Sequence, residues 1–253
     1  MDYVKQVTND LIAALTALTR LPLYKWVEVP KEHYQRIIHY WSIVGWLTGS
    51  LTAGIMLLAG QFCPTIVAVA VAFTFRIIFT GAMHEDGLMD FFDGFGGGHT
   101  RERILTIMKD SHTGAFAVIG FVCYALIWIL LLGNMPLTSA VVAVAIGDPM
   151  SKFVASNLAR ALPYARKEEE AKMGVRYESN APKGVLFITA FFGLFPMILW
   201  SEVAHWMLLF SALTFGFMVW RMKAKIGGYT GDCCGATFLL CEVMSYLAIW
   251  IVL

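Results

Sequence analysis

The chain has 253 residues, of which 58% are hydrophobic and only 15% charged, and its net charge is +1. Soluble domains are about 45–50% apolar and roughly 25% charged, so this composition excludes an ordinary soluble domain and predicts a membrane protein. The near-neutral charge provides no basic field for nucleic acid, and the five cysteines lack the C-x-x-C spacing of zinc sites.

An N-terminal surface helix and a series of spans are predicted along the chain. Residues 7–21 mix apolar side chains with Thr, Asn and Asp, which favours an amphipathic interfacial helix. The N-terminus lacks the features of a cleavable signal peptide. A span needs about 20 mostly apolar residues. We therefore expect an all-α polytopic transmembrane helical bundle, a single integral membrane domain over 1–253, with about seven spans at 40–60, 62–82, 114–133, 138–158, 184–200, 203–220 and 236–253.

Lysine and arginine fall on one side of this predicted topology. Seventeen of the nineteen basic residues lie in 1–39, 83–113, 159–183 and 221–235, and the opposite loops hold none. Basic residues are enriched in cytoplasmic loops. The pattern predicts a cytoplasmic N-terminus, an external C-terminus, and a functional site on the cytoplasmic face, because the outer loops are too short to build one.

The densest acidic cluster follows the second predicted span. Asp86, Asp90 and Asp93 are spaced i, i+4 and i+7, which places them within about 60° on one helix face. Carboxylates in this arrangement suit Mg²⁺ or Mn²⁺, which usually retain waters and bind phosphate as well. The three aspartates are therefore predicted to be metal ligands and catalytic residues. The alternative is a solvated polar face.

A glycine run and a basic tract come next. The glycines at 96–98 allow a tight loop with exposed amides. They are followed by Arg101, Arg103 and Lys109, and basic side chains beside a metal cluster fit a diphosphate substrate. The alternative is ordinary positive-inside charge.

A second polar motif, Gly-Gly-Tyr-Thr-Gly-Asp at 227–232, precedes the last span. We predict that it folds beside the aspartate cluster. Thr230 would then donate to a phosphate, Asp232 would reach the metal or substrate, and Glu242 would line the pocket below. The alternative is a plain inner turn.

Four ionisable residues fall inside predicted spans: Arg76, Asp148, Lys152 and Glu242. Charge within a membrane marks a functional site by default. Arg76 and Glu242 could instead extend towards the interface, and Asp148 and Lys152, spaced i, i+4, could neutralise each other.

At these motifs the chain resembles the adenosylcobinamide-GDP ribazoletransferase family, also called cobalamin 5′-phosphate synthases. The resemblance runs nearly end to end and departs at Met89 and Phe91, which flank Asp90, at His112 and at Lys152. The matching residues are Thr19, Arg20, Leu21, Pro22, Gly81, His84, Asp86, Gly87, Leu88, Asp90, Asp93, Gly94, Arg101, Glu102, Arg103, Ile104, Leu105, Ile107, Met108, Lys109, Asp110, Ser111, Gly114, Gly227, Gly228, Tyr229, Thr230, Gly231, Asp232, Gly235 and Ala236.

The resemblance implies the reaction and its participants. Adenosylcobinamide-GDP and α-ribazole, or its 5′-phosphate, would give adenosylcobalamin, or its 5′-phosphate, and GMP. The expected cofactor is Mg²⁺, and the expected location is the inner membrane of a prokaryote. The sequence does not decide between a monomer and a homo-oligomer. The expected catalytic residues are Asp86, Asp90, Asp93 and Asp232. The residues expected to bind substrate are His84, Arg101, Arg103, Lys109, Asp110, Ser111, Lys152, Thr230 and Glu242.

Two other functions compete with this interpretation. A CDP-alcohol phosphotransferase also uses spaced Asp-Gly motifs at a membrane face, but its pattern needs Ala-Arg shortly after the first Asp-Gly, where this chain has Met89 and Asp90. A transporter would use Asp148 and Lys152 as its substrate or proton site, but it leaves the cytoplasmic aspartates unexplained.

Overall fold

The protein is an all-α bundle, seen here in a computed structural model that describes residues 2–166 and 177–252. Within these residues there is no β-strand, and the α-helices are joined by short turns and by 3₁₀ segments such as Lys31–Tyr40 and Phe195–Trp200. The helices are α1 (Asp2–Leu18), α2 (Trp41–Ala59), α3 (Thr65–Thr80), α4 (Met83–Gly97), α5 (Arg101–Ile107), α6 (Ala115–Gly133), α7 (Leu137–Ser156), α8 (Leu158–Ala161), α9 (Lys183–Leu194), α10 (Ser201–Ile226) and α11 (Gly231–Val252).

The apolar helices confirm a polytopic membrane bundle. Five helical stretches of the described chain are long and apolar enough to cross a membrane, or up to six if the bent pair α3 and α4 is one span. The predicted count of seven is larger because its fifth and sixth spans lie in one stretch, Lys183–Ile226, and because its second span passes only together with the bent α4. The exact number of spans stays a prediction.

The stretch Lys183–Ile226 is interrupted near its middle. Trp200 leaves the helical conformation, with φ −150° and ψ 61°, and it lines a pocket with Asn134 and Trp250. Near the start of the stretch, Ser42 donates a hydrogen bond to the Thr189 carbonyl. A straight helix of this length would measure about 66 Å, about twice the hydrocarbon core. The break at Trp200 therefore suits the predicted pair of spans.

The turn between α3 and α4 redirects the chain by 93°. Gly81 and Ala82 both adopt left-handed backbone conformations, with φ of 70° and 58°. A left-handed alanine costs roughly 1–2 kcal/mol, so the surrounding packing must hold this turn. The expected span at 62–82 is accordingly shorter, ending at Thr80, and the segment after it contains α4, the helix predicted to carry Asp86, Asp90 and Asp93.

Close helix packing positions α4. Helix α11 packs against α4, α7 and α10, and α4 also packs against α6. Helices α2 and α7 approach closely at Gly45, where a β-carbon would lie 2.6 Å from the Pro149 Cα. Helix α1 packs on the 3₁₀ segment Lys31–Tyr40, and its last residue, Leu18, is buried.

Candidate active site

One pocket collects side chains from both ends of the chain. Its volume is about 250 Å³, and α1, the start of α2, α4, α11 and the segments near 164 and 177 build its wall. The described residues that line it are Leu18, Ile37, Ile38, Trp41, Met83, His84, Asp86, Tyr164, Tyr177, Gly231, Asp232, Cys234 and Gly235. Two of these, Asp86 and Asp232, belong to the aspartate cluster and to the distant loop.

Two glycines allow α4 and α11 to touch. A β-carbon on Gly87 would lie 2.9 Å from the Asp232 carbonyl oxygen, and one on Gly235 would lie 3.1 Å from the His84 carbonyl oxygen. Larger residues would force the helices apart. This contact places Asp232 beside Asp86, so the structure brings the loop at 227–232 to the aspartate helix, as the sequence predicts.

The three aspartates of α4 occupy different environments. Asp86 is exposed at the pocket, and Asp90 is half-buried and not among the lining residues. Asp93 is buried and accepts hydrogen bonds from the backbone N–H groups of Gly114 at 2.5 Å and Ala117 at 2.8 Å. These are orphan donors at the start of α6, so Asp93 caps that helix. Sequence reasoning missed this role because the cap lies 21 residues away.

The described residues contain no ready-made metal site. No group of three or more His, Cys, Asp or Glu side chains among them is arranged to hold a metal ion. The capping bonds of Asp93 explain part of this, because its two oxygens already serve α6. Metal binding by Asp86, Asp90 and Asp93 together stays a prediction.

Glu242 lies in the bundle interior and does not line the pocket. Its carboxylate accepts hydrogen bonds from Arg76 at 2.6 and 2.8 Å, from Trp128 at 3.2 Å and from Tyr246 at 2.9 Å. Its residue exposure is 0%. The prediction that Glu242 lines the pocket is therefore corrected: its partners enclose it. Arg76 does not extend to the interface either, and it also donates to Tyr124.

Lys152 is equally enclosed. Its ammonium donates to Asp148 and to Thr48, at 2.5 Å each, and lies 4.7 Å from the centre of the Phe238 ring. The structure confirms the alternative of an i, i+4 pair. Because both side chains are fully buried, this arrangement gives Lys152 no path to a substrate in the pocket.

His84 is held rigidly in the pocket wall. Its ring stacks on Trp41, with 5.5 Å between ring centroids and an interplanar angle of 22°, and it meets the edge of Phe238 at 5.1 Å. Its Nε2 atom is buried and has no hydrogen-bond partner in the described part of the chain. A buried polar atom in this state is uncommon in folded proteins.

All three basic residues of the tract are exposed, but only Arg101 makes hydrogen bonds to other segments among those described. Arg101 donates to the carbonyls of Ile226 and Ala165, at 2.8 Å each, so it ties α5 to the end of α10. Arg103 and Lys109 are exposed. Arg103 and Lys109 can therefore contact a ligand. Arg101, predicted to bind substrate, also connects α5 to the end of α10.

The turn after α5 contains an exposed hydrogen-bonded pair. The Asp110 carboxylate accepts a bond of 2.7 Å from the His112 ring and another of 3.0 Å from the His112 backbone. The ring bond raises the pKa of His112 and lowers the pKa of Asp110. Ser111 between them is exposed. These residues lie on the surface and do not line the pocket.

Thr230 is the residue immediately before the last helix, α11. Its hydroxyl accepts a bond of 3.4 Å from the Cys233 backbone N–H and lies 3.4 Å from an Asp232 oxygen. Ser and Thr at this position commonly cap helices. The side chain is fully buried, so its observed contacts serve the turn that presents Asp232.

Arg166 is a residue of this region that sequence reasoning missed. Its side chain is 1% exposed, and Nη2 lies 4.0 Å from Asp232 Oδ2 and 3.3 Å from the Leu105 carbonyl. Its Nε and Nη1 have no hydrogen-bond partner among the residues described. Within the sequence, Arg166 is one of several basic residues in a loop, so only the fold separates it from the others.

Aromatic residues of the pocket were also missed. Trp41, Tyr164 and Tyr177 come from separate segments and meet only in the fold. Burial raises the pKa of Tyr164 to about 12, so its hydroxyl stays neutral. A wall of neutral rings beside two carboxylates suits an aromatic ligand with a reacting polar end.

Comparison with known protein families assigns the chain to one of them. The sequence model of the Cobalamin-5-phosphate synthase family matches residues 10–250. The chain belongs to the cobalamin-5-phosphate synthase family. The match includes the basic tract, and it includes α4 and the start of α11, which meet at the pocket.

Curated relatives cover nearly the whole chain. The Adenosylcobinamide-GDP ribazoletransferases of Shewanella sp. (strain W3-18-1) and Shewanella oneidensis are each 34% identical, over 95% and 94% of this chain and 93% and 92% of their own lengths. That of Shewanella frigidimarina is 34% identical over 95% of this chain and 94% of its own length. No solved structure matches significantly.

Proposed function

We propose that this chain joins adenosylcobinamide-GDP to α-ribazole, or to its 5′-phosphate, and releases GMP. A ribazole hydroxyl attacks the phosphorus attached to cobinamide, the bond from that phosphorus to the GMP oxygen breaks, and the hydroxyl loses its proton. The meeting of Asp86 and Asp232 at one pocket carries the proposal, because it builds a site from the two motifs that are expected to act on the phosphates. The names of the relatives supply the substrates.

Asp86 and Asp232 fit a divalent cation completed by substrate. Mg²⁺ usually takes one or two protein carboxylates and fills its remaining positions with waters and substrate phosphates. Two carboxylates at one pocket match that requirement. Asp90, one turn beyond Asp86 on α4, is the nearest candidate to support them. When bound, Mg²⁺ would polarise the phosphate oxygens and offset charge on the leaving group.

The other residues of the site bind and orient. The buried guanidinium of Arg166 has donors available for a phosphate beside Asp232, and Arg103 and Lys109 offer exposed charge for the outer part of a large substrate. The covalent step needs no protein nucleophile, so positioning and electrostatic stabilisation suffice. We also place the site at the cytoplasmic face, because the loops around it hold most of the basic residues.

The decisive assay follows GMP release by the purified full-length protein in lipid nanodiscs. With adenosylcobinamide-GDP and α-ribazole, we expect GMP and a cobalamin product in equal amounts. Chelation with EDTA should stop release, and added Mg²⁺ should restore it. No GMP in the presence of both substrates would contradict the proposed activity, whereas release that survives thorough chelation would contradict only the Mg²⁺ requirement. Formation of a phospholipid from a CDP-alcohol would favour the lipid-enzyme alternative.

Arg166→Gln should lower kcat/KM for adenosylcobinamide-GDP by about 10–100-fold, because charge-assisted hydrogen bonds contribute roughly 1.5–3 kcal/mol. The physical reason is the loss of donors that have no protein acceptor among the described residues. Initial GMP release rates over a range of adenosylcobinamide-GDP concentrations would measure the effect.

Arg160→Gln is the matched control for Arg166. Arg160 is exposed on α8, donates to Asn157 at 3.3 Å and is not among the residues that line the pocket. Its kinetics should stay near those of the wild type. If both variants behave alike, Arg166 has no specific part in holding phosphate.

A further inference from the structure

We propose that the pocket beside Asp86 and Asp232 binds the heteroaromatic base of the nucleoside substrate, and that the corrinoid and the guanine nucleotide lie outside it. The proposal rests on the proposed function and specifies which part of which substrate occupies this pocket. It follows from the lining and the size of the pocket, and from two buried polar atoms of its lining, His84 Nε2 and Trp41 Nε1, that have no hydrogen-bond partner among the described residues.

The lining suits a flat and mostly apolar ring. Trp41, Tyr164 and Tyr177 contribute aromatic rings, and Ile37 and Ile38 add aliphatic side chains. Aromatic pairs gain from offset-stacked or edge-to-face packing in addition to burial. Among the described lining residues, Asp86 and Asp232 are the only carboxylic acids. The pocket therefore provides apolar walls and one acidic end.

The size of the pocket excludes the larger substrate. Its volume of about 250 Å³ lies below the roughly 300–1,000 Å³ typical of pockets for drug-sized ligands. A benzimidazole base with part of its ribose is of that scale. A corrin ring that carries a GDP group is several times larger, so it must remain mainly outside.

Guanine is the rival occupant, since it is also flat and aromatic. Its edge carries several hydrogen-bond donors and acceptors, each of which needs a partner once buried. The proposed function places the carboxylates of Asp86 and Asp232 at the phosphates. Among the described lining side chains this leaves His84 Nε2 as the one buried acceptor without a partner, too few for the several N–H groups of guanine. An alkylated benzimidazole has no donors on its ring edge and loses little on entering such a pocket.

His84 supplies the polar contact that a ribose needs. Its Nε2 is buried without a partner among the described residues, while Trp41 and Phe238 fix the ring in place. A nucleoside hydroxyl is a suitable donor for this nitrogen. With its base in the aromatic part of the pocket, the nucleoside would present its ribose between His84 and Asp86, near the proposed phosphate position.

The test separates the two substrates by their KM values. Trp41→Leu and Tyr164→Leu should each raise the KM for α-ribazole about tenfold, the size expected for loss of one base–aromatic stacking contact. The KM for adenosylcobinamide-GDP should stay near the wild-type value. Tyr164→Phe keeps the ring and should keep the KM for α-ribazole.

Trp46→Leu is the matched control, because Trp46 lies on the same helix as Trp41 but packs on Phe192 and Phe195. Its KM values should not change. A rise confined to the KM for adenosylcobinamide-GDP in Trp41→Leu or Tyr164→Leu would overturn the proposal and assign the pocket to guanine. Unchanged KM values in both variants would overturn it as well. Failure of the wild type to release GMP would instead refute the proposed function.

Discussion

Asp86→Asn should lower turnover by at least about 10²–10³-fold, the usual cost of removing one group that stabilises transition-state charge. The substitution keeps the shape of the side chain and removes the charge that the proposed Mg²⁺–phosphate group requires. Asp86 is exposed at the pocket. Substitutions at such positions usually change stability by less than about 0.5 kcal/mol, so the loss of activity should occur in a well-folded protein.

Two comparison variants make the Asp86 result interpretable. Glu102→Gln removes an exposed carboxylate from α5 and should leave GMP release unchanged. Asp93→Ala should instead destabilise the protein by about 1 kcal/mol, the typical cost of a lost helix cap, because Asp93 caps α6. Rates of GMP release and thermal unfolding in detergent would be measured for all three. A fully active Asp86→Asn would eliminate Asp86 from the catalytic group.

The sequence was informative wherever a property is local or periodic. Long apolar runs predicted a helical membrane bundle, and the spacing of Asp86, Asp90 and Asp93 predicted a helix that carries them. The meeting of the loop at 227–232 with that helix could also be predicted, because one-sided basic residues assign both to the same end of the bundle. Gly87 and Gly235 explain the closeness of the contact.

The remaining features depend on three-dimensional packing. The 93° turn after α3 includes Ala82 in a left-handed backbone conformation. An alanine in the sequence does not predict this conformation. The sequence does not distinguish Asp93 from the other aspartates of α4, because its capping role depends on two backbone N–H groups at the start of α6. Arg166 had no distinguishing pattern, and Trp41 is separated from Tyr164 by 123 positions of the 253-residue chain. Periodicity cannot identify pairings of this kind, because they depend on which helices become neighbours.

The charged residues inside the predicted spans were correctly identified as unusual, but the role expected for Glu242 was wrong. Charge inside a span was expected to mark a site, but the structure satisfies Glu242 with Arg76, Trp128 and Tyr246. The sequence could not pair residues 166 positions apart. The network lies behind the pocket wall, since Glu85, adjacent to His84, is 3.6 Å from the Arg76 guanidinium. These charges support the site instead of contacting substrate in the pocket.

Glu242→Gln and Arg76→Gln should each destabilise the protein by about 3–5 kcal/mol, because removing one partner of a buried ion pair leaves the other charge uncompensated. The pair is enclosed: Arg76 is 2% exposed and Glu242 0%. Arg76 also donates to Tyr124 at 2.6 Å, so loss of either charge disturbs a network that joins α3, α6 and α11. Unfolding followed in mixed detergent micelles would measure the loss.

A double-mutant cycle identifies the ion pair as the cause. Arg76→Met combined with Glu242→Met should cost clearly less than the sum of Arg76→Met and Glu242→Met measured singly, because contacting residues are non-additive and neither member of the pair is left facing an empty site. Glu85, 3.6 Å from Arg76, loses that partner in both Arg76→Met and the double variant, so its effect cancels in the cycle. The control is Glu178→Gln, which breaks a more exposed pair with Arg36 and should cost less than about 1 kcal/mol. If the buried single variants lose no more than this control, the network does not stabilise the bundle. If the double variant costs the full sum, the two charges act independently, and their closeness of 2.6 Å carries no coupling.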